Sequence, residues 1–547
     1  MKWCALLLGI AACDPNPTPT PNPTPNPTPN PNPSTRTSTS NVTRADYVGP
    51  KVCGECHPDK LAGWKDTLHR TMNQRVEEAE LLAPFAGERV AYGGREAVFT
   101  RVDGRPVMRL AGVEYRVTRT IGTRYLQEYV GEKDGVELRL PFGWWRRAGR
   151  WLHQQYYDSW YDAEYAADGT LALDPTAVDP APWAGRCAWC HNTYPFELRL
   201  HRAEPGHGFE QFFAHREEEK GSVSDLRSSG QLAGDPSVLD TAQLVTVGIS
   251  CESCHLGGRE HAAGGPLRFT PHGAGVVATD GAPDLSAGRR SALVVNTICA
   301  QCHSTPSPRH ADGAVVRNSS EALDLAGAAC ATARCTDCHD PHQAGRGPGA
   351  ADAHYLAACT RCHPALADPA AARAHAGHDP GAASCLDCHM PRVVQGLSDM
   401  VRTHRIALPV TAAGVEAAGL NACNLCHLDR SITWTLAALG DRAPALSARG
   451  AARWGDPTAP AGAIWLDSAD APTRITAAAA HARAPEGRAA GRTRLLGALD
   501  DPVAHTRMRV FFALEDLLGR RLRPAEYDPV APPARRAAQV ARLRQKM

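Results

Sequence analysis

The chain has 547 residues, 59 Lys and Arg against 58 Asp and Glu, a formal net charge of +1, and 43% hydrophobic residues. The charge balance gives no sign of a nucleic-acid partner, and the length leaves room for more than one core. The unusual residues are its 19 cysteines and 23 histidines.

The chain opens with Met1-Lys2, runs apolar from Ala5 to Ala12 and reaches Cys13, the layout of an export signal. That run falls far short of the ~20 residues a membrane-spanning helix needs. Ile10-Ala11-Ala12-Cys13 resembles a bacterial lipobox, so residues 1–13 are expected to be a lipoprotein signal peptide and Cys13 the lipidated residue. An ordinary signal peptide cut near Ala12 is the alternative. Residues 14–45, rich in Pro, Asn and Thr, cannot bury a core and are expected to form an extended tether. This arrangement predicts an exported protein, lipid-anchored in the periplasm or on the outer membrane or cell surface.

Residues 46–430 carry eight copies of Cys-x-x-Cys-His. The thiol pairs are Cys53 and Cys56, Cys187 and Cys190, Cys251 and Cys254, Cys299 and Cys302, Cys335 and Cys338, Cys359 and Cys362, Cys385 and Cys388, and Cys423 and Cys426. The histidines that close them are His57, His191, His255, His303, His339, His363, His389 and His427. Two thiols at this spacing reach the two vinyl groups of one haem, and the next residue offers an imidazole to its iron. Zinc knuckles also use paired cysteines but do not require a histidine after every second one. The motifs therefore predict eight covalently bound haems c. Outside the cytoplasm, sixteen bare thiols would be a disulfide hazard, which agrees with export and haem attachment together. Cys330 is the one unassigned cysteine of the mature chain and reads as an inert thiol.

Between the first two motifs, Leu61 to Ala83 has helical periodicity. Runs 97–102, 113–118 and 125–130 alternate as strands do, with glycines between them as in hairpin turns. They predict a small antiparallel β-rich insert at about 88–165. An aromatic patch of Trp144, Trp145, Trp151, Tyr156, Tyr157, Trp160 and Tyr161 follows the runs, and reads as core or haem packing. From Cys187 onward the motifs crowd together, and short helices and loops around stacked haems are expected, so the fold class is mainly α. Residues 431–547, rich in Ala, Leu and Arg, predict a helical cap, with a helix pair over 492–518 split at Asp500-Asp501-Pro502 and reminiscent of a HEAT repeat.

Val52-Cys53-Gly54-Glu55-Cys56-His57-Pro58 with Trp64 and His69, Gly248–His255 with His261, Cys335–His342, and Ser384–Pro391 resemble the doubled-CxxCH multihaem cytochromes. Asn421–His427 is similar to the last motif of their octahaem members. That superfamily includes tetrahaem electron carriers, hydroxylamine oxidoreductase and pentahaem nitrite reductase. The resemblance implies second iron ligands at His69, His261, His342, His378 and His404, with His153, His272, His310, His354 and His375 as weaker candidates. His261 and His342 follow their own motif histidines so closely that they are expected to ligate neighbouring haems. A lone loop histidine is more often solvent-exposed than ligating, which is the reading for His201, His207, His215, His481 and His505.

The expected function is an electron relay through mostly bis-histidine haems, between redox proteins such as a quinol-oxidising complex or other cytochromes. The alternative is an oxidoreductase acting on a small nitrogen or sulfur oxyanion at one five-coordinate haem under the β-rich insert. Arg116, Arg119, Arg124, His153 or Tyr157 would then supply charge or protons. The CxxCK motif of the nitrite reductases is absent, and no tyrosine matches the cross-linked one of hydroxylamine oxidoreductase.

Overall fold

The computed structural model describes residues 39–546 apart from 93–94, 157–181, 201–207, 217–238, 240, 274, 287, 346–349, 380, 398 and 485–487. Cys13, residues 14–38 of the tether, Tyr157, Trp160, Tyr161, His201 and His207 lie outside the described residues.

Nine strands form one antiparallel sheet: β1 (Asn73–Arg75), β2 (Glu88–Tyr92), β3 (Arg95–Val102), β4 (Arg105–Leu110), β5 (Val113–Ile121), β6 (Leu126–Lys133), β7 (Val136–Arg139), β8 (Phe142–Trp145) and β9 (Arg150–His153). They run in the order β2-β3-β4-β5-β6-β8-β9, with β1 also on β5 and β7 also on β6. The sheet curls into a nearly closed barrel. This corrects the expected fold class, a mainly α protein with a small β insert. Only β3, β5 and β6 carry a clear run of alternating β-branched and aromatic residues. The other strands have at most six residues, β4 contains Pro106, and β8 and β9 are the aromatic patch itself, so no period stands out in them.

Alternate side chains of these strands meet inside the barrel, where Phe99, Met108, Tyr129, Phe142 and Trp151 form one core with Phe85. Trp151 stacks on Phe99 at 3.8 Å between ring centres and meets Phe85 edge-on at 5.0 Å. Burying each such side chain contributes about 1.5–3 kcal/mol. Asp103-Gly104 and Asp134-Gly135 turn β3 into β4 and β6 into β7 with all four residues at positive φ. That is the geometry of tight hairpins whose twist suits the strands, and Asp-Gly tolerates it.

The motif region is short helices joined by loops, including Pro50–Cys56, Ala188–His191, Cys251–His255, Cys335–Cys338, Cys385–His389 and Ala422–Cys426. Local side chains start several of them. The Ser384 hydroxyl accepts from the Asp387 amide while the Asp387 carboxylate accepts from that of Ser384, and Asn421 accepts from the Asn424 amide at 2.9 Å.

Beyond the motifs, helices span Ala471–Arg483, Arg488–Ala498, Ala504–Leu518 and Pro533–Lys546. The Asp470 side chain caps the first, accepting from the Thr473 amide at 2.9 Å, and Gly519 ends the third at φ 64°. Their core includes Leu425 and Leu428 beside the last motif and Trp145, Leu152 and Tyr156 from the barrel. Arg147 lies over the Phe512 ring at 4.6 Å and donates to the Phe512 carbonyl at 2.9 Å. The helices therefore brace the barrel as well as the motif region. No helix among the described residues is long and apolar enough to cross a membrane.

Candidate haem-binding array

Buried polar groups bring distant motifs together. Glu252, inside the third motif and 1% exposed, accepts from the amides of Val48, Gly49 and Gly258 at 2.9, 2.7 and 2.9 Å. This pins the entry to the first motif against the third. The Trp64 indole donates to the Ile249 carbonyl at 2.8 Å. Gly248 has φ 85°, and a Cβ there would stand 2.6 Å from the Arg70 carbonyl, so only glycine permits this approach. Asp324, fully buried, accepts from the amides of His404 and Arg405 at 2.6 and 2.8 Å and fixes the His404 segment.

Six motif histidines face a second imidazole. The pairs are His57 with His261 at 6.2 Å between ring centres, His303 with His69 at 6.4 Å, His255 with His342 at 6.1 Å, His339 with His404 at 6.2 Å, His389 with His375 at 6.1 Å, and His427 with His378 at 6.1 Å. These rings are too far apart for stacking contact. Two imidazoles on one metal ion, each bonded at about 2 Å, hold their ring centres roughly 6 Å apart. The residues therefore fit an iron between each pair.

Hydrogen bonding orients the same rings. Nδ1 of His303 lies 2.9 Å from Glu321, Nδ1 of His389 2.7 Å from the Ala407 carbonyl, Nδ1 of His261 3.1 Å from the Gly265 carbonyl, and Nδ1 of His378 2.9 Å from the Ala376 carbonyl. Nδ1 of His342 lies 3.2 Å from Asp340. A ring that donates from Nδ1 keeps the Nε2 lone pair for a metal. His310 and His354 are turned the other way. Their Nε2 atoms lie 3.0 and 3.1 Å from the carbonyls of Val393 and Cys338.

The other histidines lie elsewhere. His153 sits in the barrel against Phe142, His215 on a strand paired with Val276–Ala278, and His272 near Glu260. His481 and His505 are buried among the C-terminal helices. Arg116 is exposed on β5, and Arg124 lies over the Tyr125 ring.

Thiols of different motifs lie side by side. Cys53 meets Cys251, Cys299 meets Cys335 and Cys190 meets Cys302 within hydrogen-bonding reach. Cys254 neighbours Cys302, Cys338 neighbours Cys362, Cys359 neighbours Cys385, and Cys388 neighbours Cys423. The motifs thus follow one another as 1-3-4-5-6-7-8, with the second beside the fourth. Among the described residues no group of three or more His, Cys, Asp or Glu is gathered to hold a bare metal ion.

His191 and His363 face no second imidazole within the described residues. His363 is exposed. His191 is half-buried, and desolvation lowers its pKa to about 4, with Glu128 opposing and Arg139 reinforcing that shift. Its motif helix packs on the outside of the barrel, where Trp183, Ala188 and Trp189 meet Ile121 and Val130. Arg119 belongs to the same wall. It is 5% exposed, pairs with Glu137 at 2.9 Å and lies over the Trp183 ring at 5.0 Å. A β-bulge between Val117 and Arg119 brings it there, since Tyr115 and Val117 point into the barrel.

Glu252, Asp324 and the role of the bulge escaped the sequence reading. A carboxylate that binds only backbone amides leaves no charge pattern, and one inserted residue leaves no periodicity.

No family model and no curated protein matches this chain. Among solved structures it is similar to the outer cell wall cytochrome OcwA, at 15% identity over 87% of this chain and 99% of that one, with a TM-score of 0.39.

Proposed function

We propose that this chain is an exported octahaem c-type cytochrome of the doubled-CxxCH kind, anchored by a lipid on Cys13, that relays electrons between redox proteins. The six imidazole pairs carry the reading. Each contains a motif histidine, each is spaced for one iron, and a ligand set of two imidazoles suits electron transfer rather than substrate binding. Bound haem supplies a one-electron couple at each iron. The Nδ1 acceptors of five of the paired rings would orient one ligand of each such iron. Adjacent thiols support transfer along the array, because each thiol bonds the edge of its own porphyrin and neighbouring thiols bring two such edges together. His310 and His354 are left out of the proposed ligand set, their Nε2 atoms being turned to carbonyls.

Near-infrared magnetic circular dichroism of the oxidised protein tests this. At least six haems are expected to show the charge-transfer band of bis-imidazole iron. A majority with another ligand pair, or high-spin, would reject the relay.

A further inference from the structure

We infer that a cavity between the barrel, the C-terminal helices and the short strand pair after the seventh motif is a binding site for a small monocarboxylate. Its lining residues include no motif cysteine and no paired histidine, so the inference goes beyond the relay and does not rest on it.

Three parts of the chain build the cavity, which offers about 150 Å³. Arg147 follows β8 of the barrel. Asp399 and Met400 belong to the hairpin that pairs Val394–Gln395 with Met400–Val401. Arg483, Arg509 and Asp516 come from the helices Ala471–Arg483 and Ala504–Leu518.

Two of the guanidiniums are held in place and still lack an acceptor. Arg147 lies over the Phe512 ring and pairs with Asp516 at 2.5 Å. Arg509 lies over the Trp145 ring at 5.8 Å, and its Nη2 donates to the carbonyls of Gly396 and Leu397. The Nε of each is buried and meets no acceptor among the described residues. Arg509 is the sharper case. It is 6% exposed, and among the described residues no carboxylate is in ion-pair contact with it. A buried charge without a counter-ion is costly. Burial, opposed by Asp399 and reinforced by Arg147, lowers the Arg509 pKa to about 10.

The charges and the apolar wall select the ligand. Three guanidiniums against two carboxylates leave one positive charge over. Asp516 is taken by Arg147, whereas Asp399 stands near Arg483 and Arg509 and repels a second negative charge. A monoanion therefore suits the cavity better than a dianion. A carboxylate offers two oxygens in one plane, which matches guanidinium donors. Ile475, Ala479, Ala482 and Ala513 line the remainder, so the tail of the ligand meets apolar surface. The volume is room for about five water molecules, and so for a chain of a few carbons. Arg483 is exposed and marks the side from which a ligand enters.

The test is titration calorimetry on the full chain with its haems, at low ionic strength, with acetate, butanoate and phosphate as probes. One site per chain is expected. Butanoate is expected to bind about tenfold more tightly than acetate, because it buries two further methylene groups, and phosphate more weakly than butanoate. Arg509→Gln is expected to raise the butanoate dissociation constant about tenfold or more. Ala479→Leu keeps every charge and fills the cavity, and is expected to abolish binding; it decides the matter should Arg509→Gln fail to fold. Both variants are expected to keep the haem spectrum of the parent. No saturable binding to the parent would overturn the inference, as would a butanoate affinity unmoved by Ala479→Leu, or phosphate binding more tightly than butanoate. A parent that binds none of the probes, while Arg509→Gln shifts the reduction midpoint of one haem, would overturn it in favour of a haem carboxylate facing these arginines. Each of these results leaves the relay standing.

Discussion

A histidine that donates from Nδ1 keeps its Nε2 lone pair for a metal, and here carbonyls and carboxylates stand at Nδ1 of five of the paired rings. The consequence can be measured at His261. His261→Ala is expected to keep eight haems but turn one low-spin haem high-spin by EPR, without affecting the other five pairs. An unchanged low-spin count would mean that His57 has another partner. A second residue-scale prediction concerns Glu197 in the helix Phe196–Arg199. Burial, with a contribution from Asp46, raises its pKa from 4.5 to about 7. The folded state then holds this proton more tightly than the unfolded chain, so the stabilisation is complete below about pH 4.5 and is lost as pH rises through 7. Urea midpoints between pH 4.5 and 7.5 are expected to fall more steeply in the parent than in Glu197→Gln; equal slopes would refute it. The spacing of cysteines made the motifs legible at this scale. Partner imidazoles far along the chain were less so, because His375 and His378 meet different motifs although they are three residues apart.

Among the elements, the barrel departs most from what the residues suggest. β3, β5 and β6 were readable from their alternation, but β8 and β9 looked like packing aromatics because Trp144, Trp145 and Trp151 obscure a period of two. The bulge at Thr118 has the same effect on β5, where strict alternation would put Arg119 inside with Val117. The barrel core rests on Trp151, 5% exposed and stacked on Phe99. Trp151→Ala is expected to cost about 3–5 kcal/mol, read as faster hydrogen exchange at the amides of β3, β8 and β9. A change confined to the residues beside Trp151 would show that the strands do not depend on this core. The C-terminal helices were legible from their leucines and the break at Asp500-Asp501-Pro502. Their contact with the barrel was not, because it depends on Arg147 and Trp145 meeting Phe512 more than 300 positions away.

At the scale of the molecule, a lipid on Cys13 and a Pro-rich tether would hang the array clear of a membrane surface. Cys13→Ala is expected to release the protein into the soluble fraction with all its haems; retention in the membrane pellet would count against the anchor. Electron transfer from the first motif to the last would depend on the third to the seventh being filled, since one missing haem among them breaks the line of neighbouring thiols. The intact mass of the purified protein, from a host that matures c-type cytochromes, tests that requirement most directly. The prediction is one species carrying eight covalent haems, unaltered by a metal chelator; a mass showing seven or fewer, or zinc lost to the chelator in their place, would contradict it.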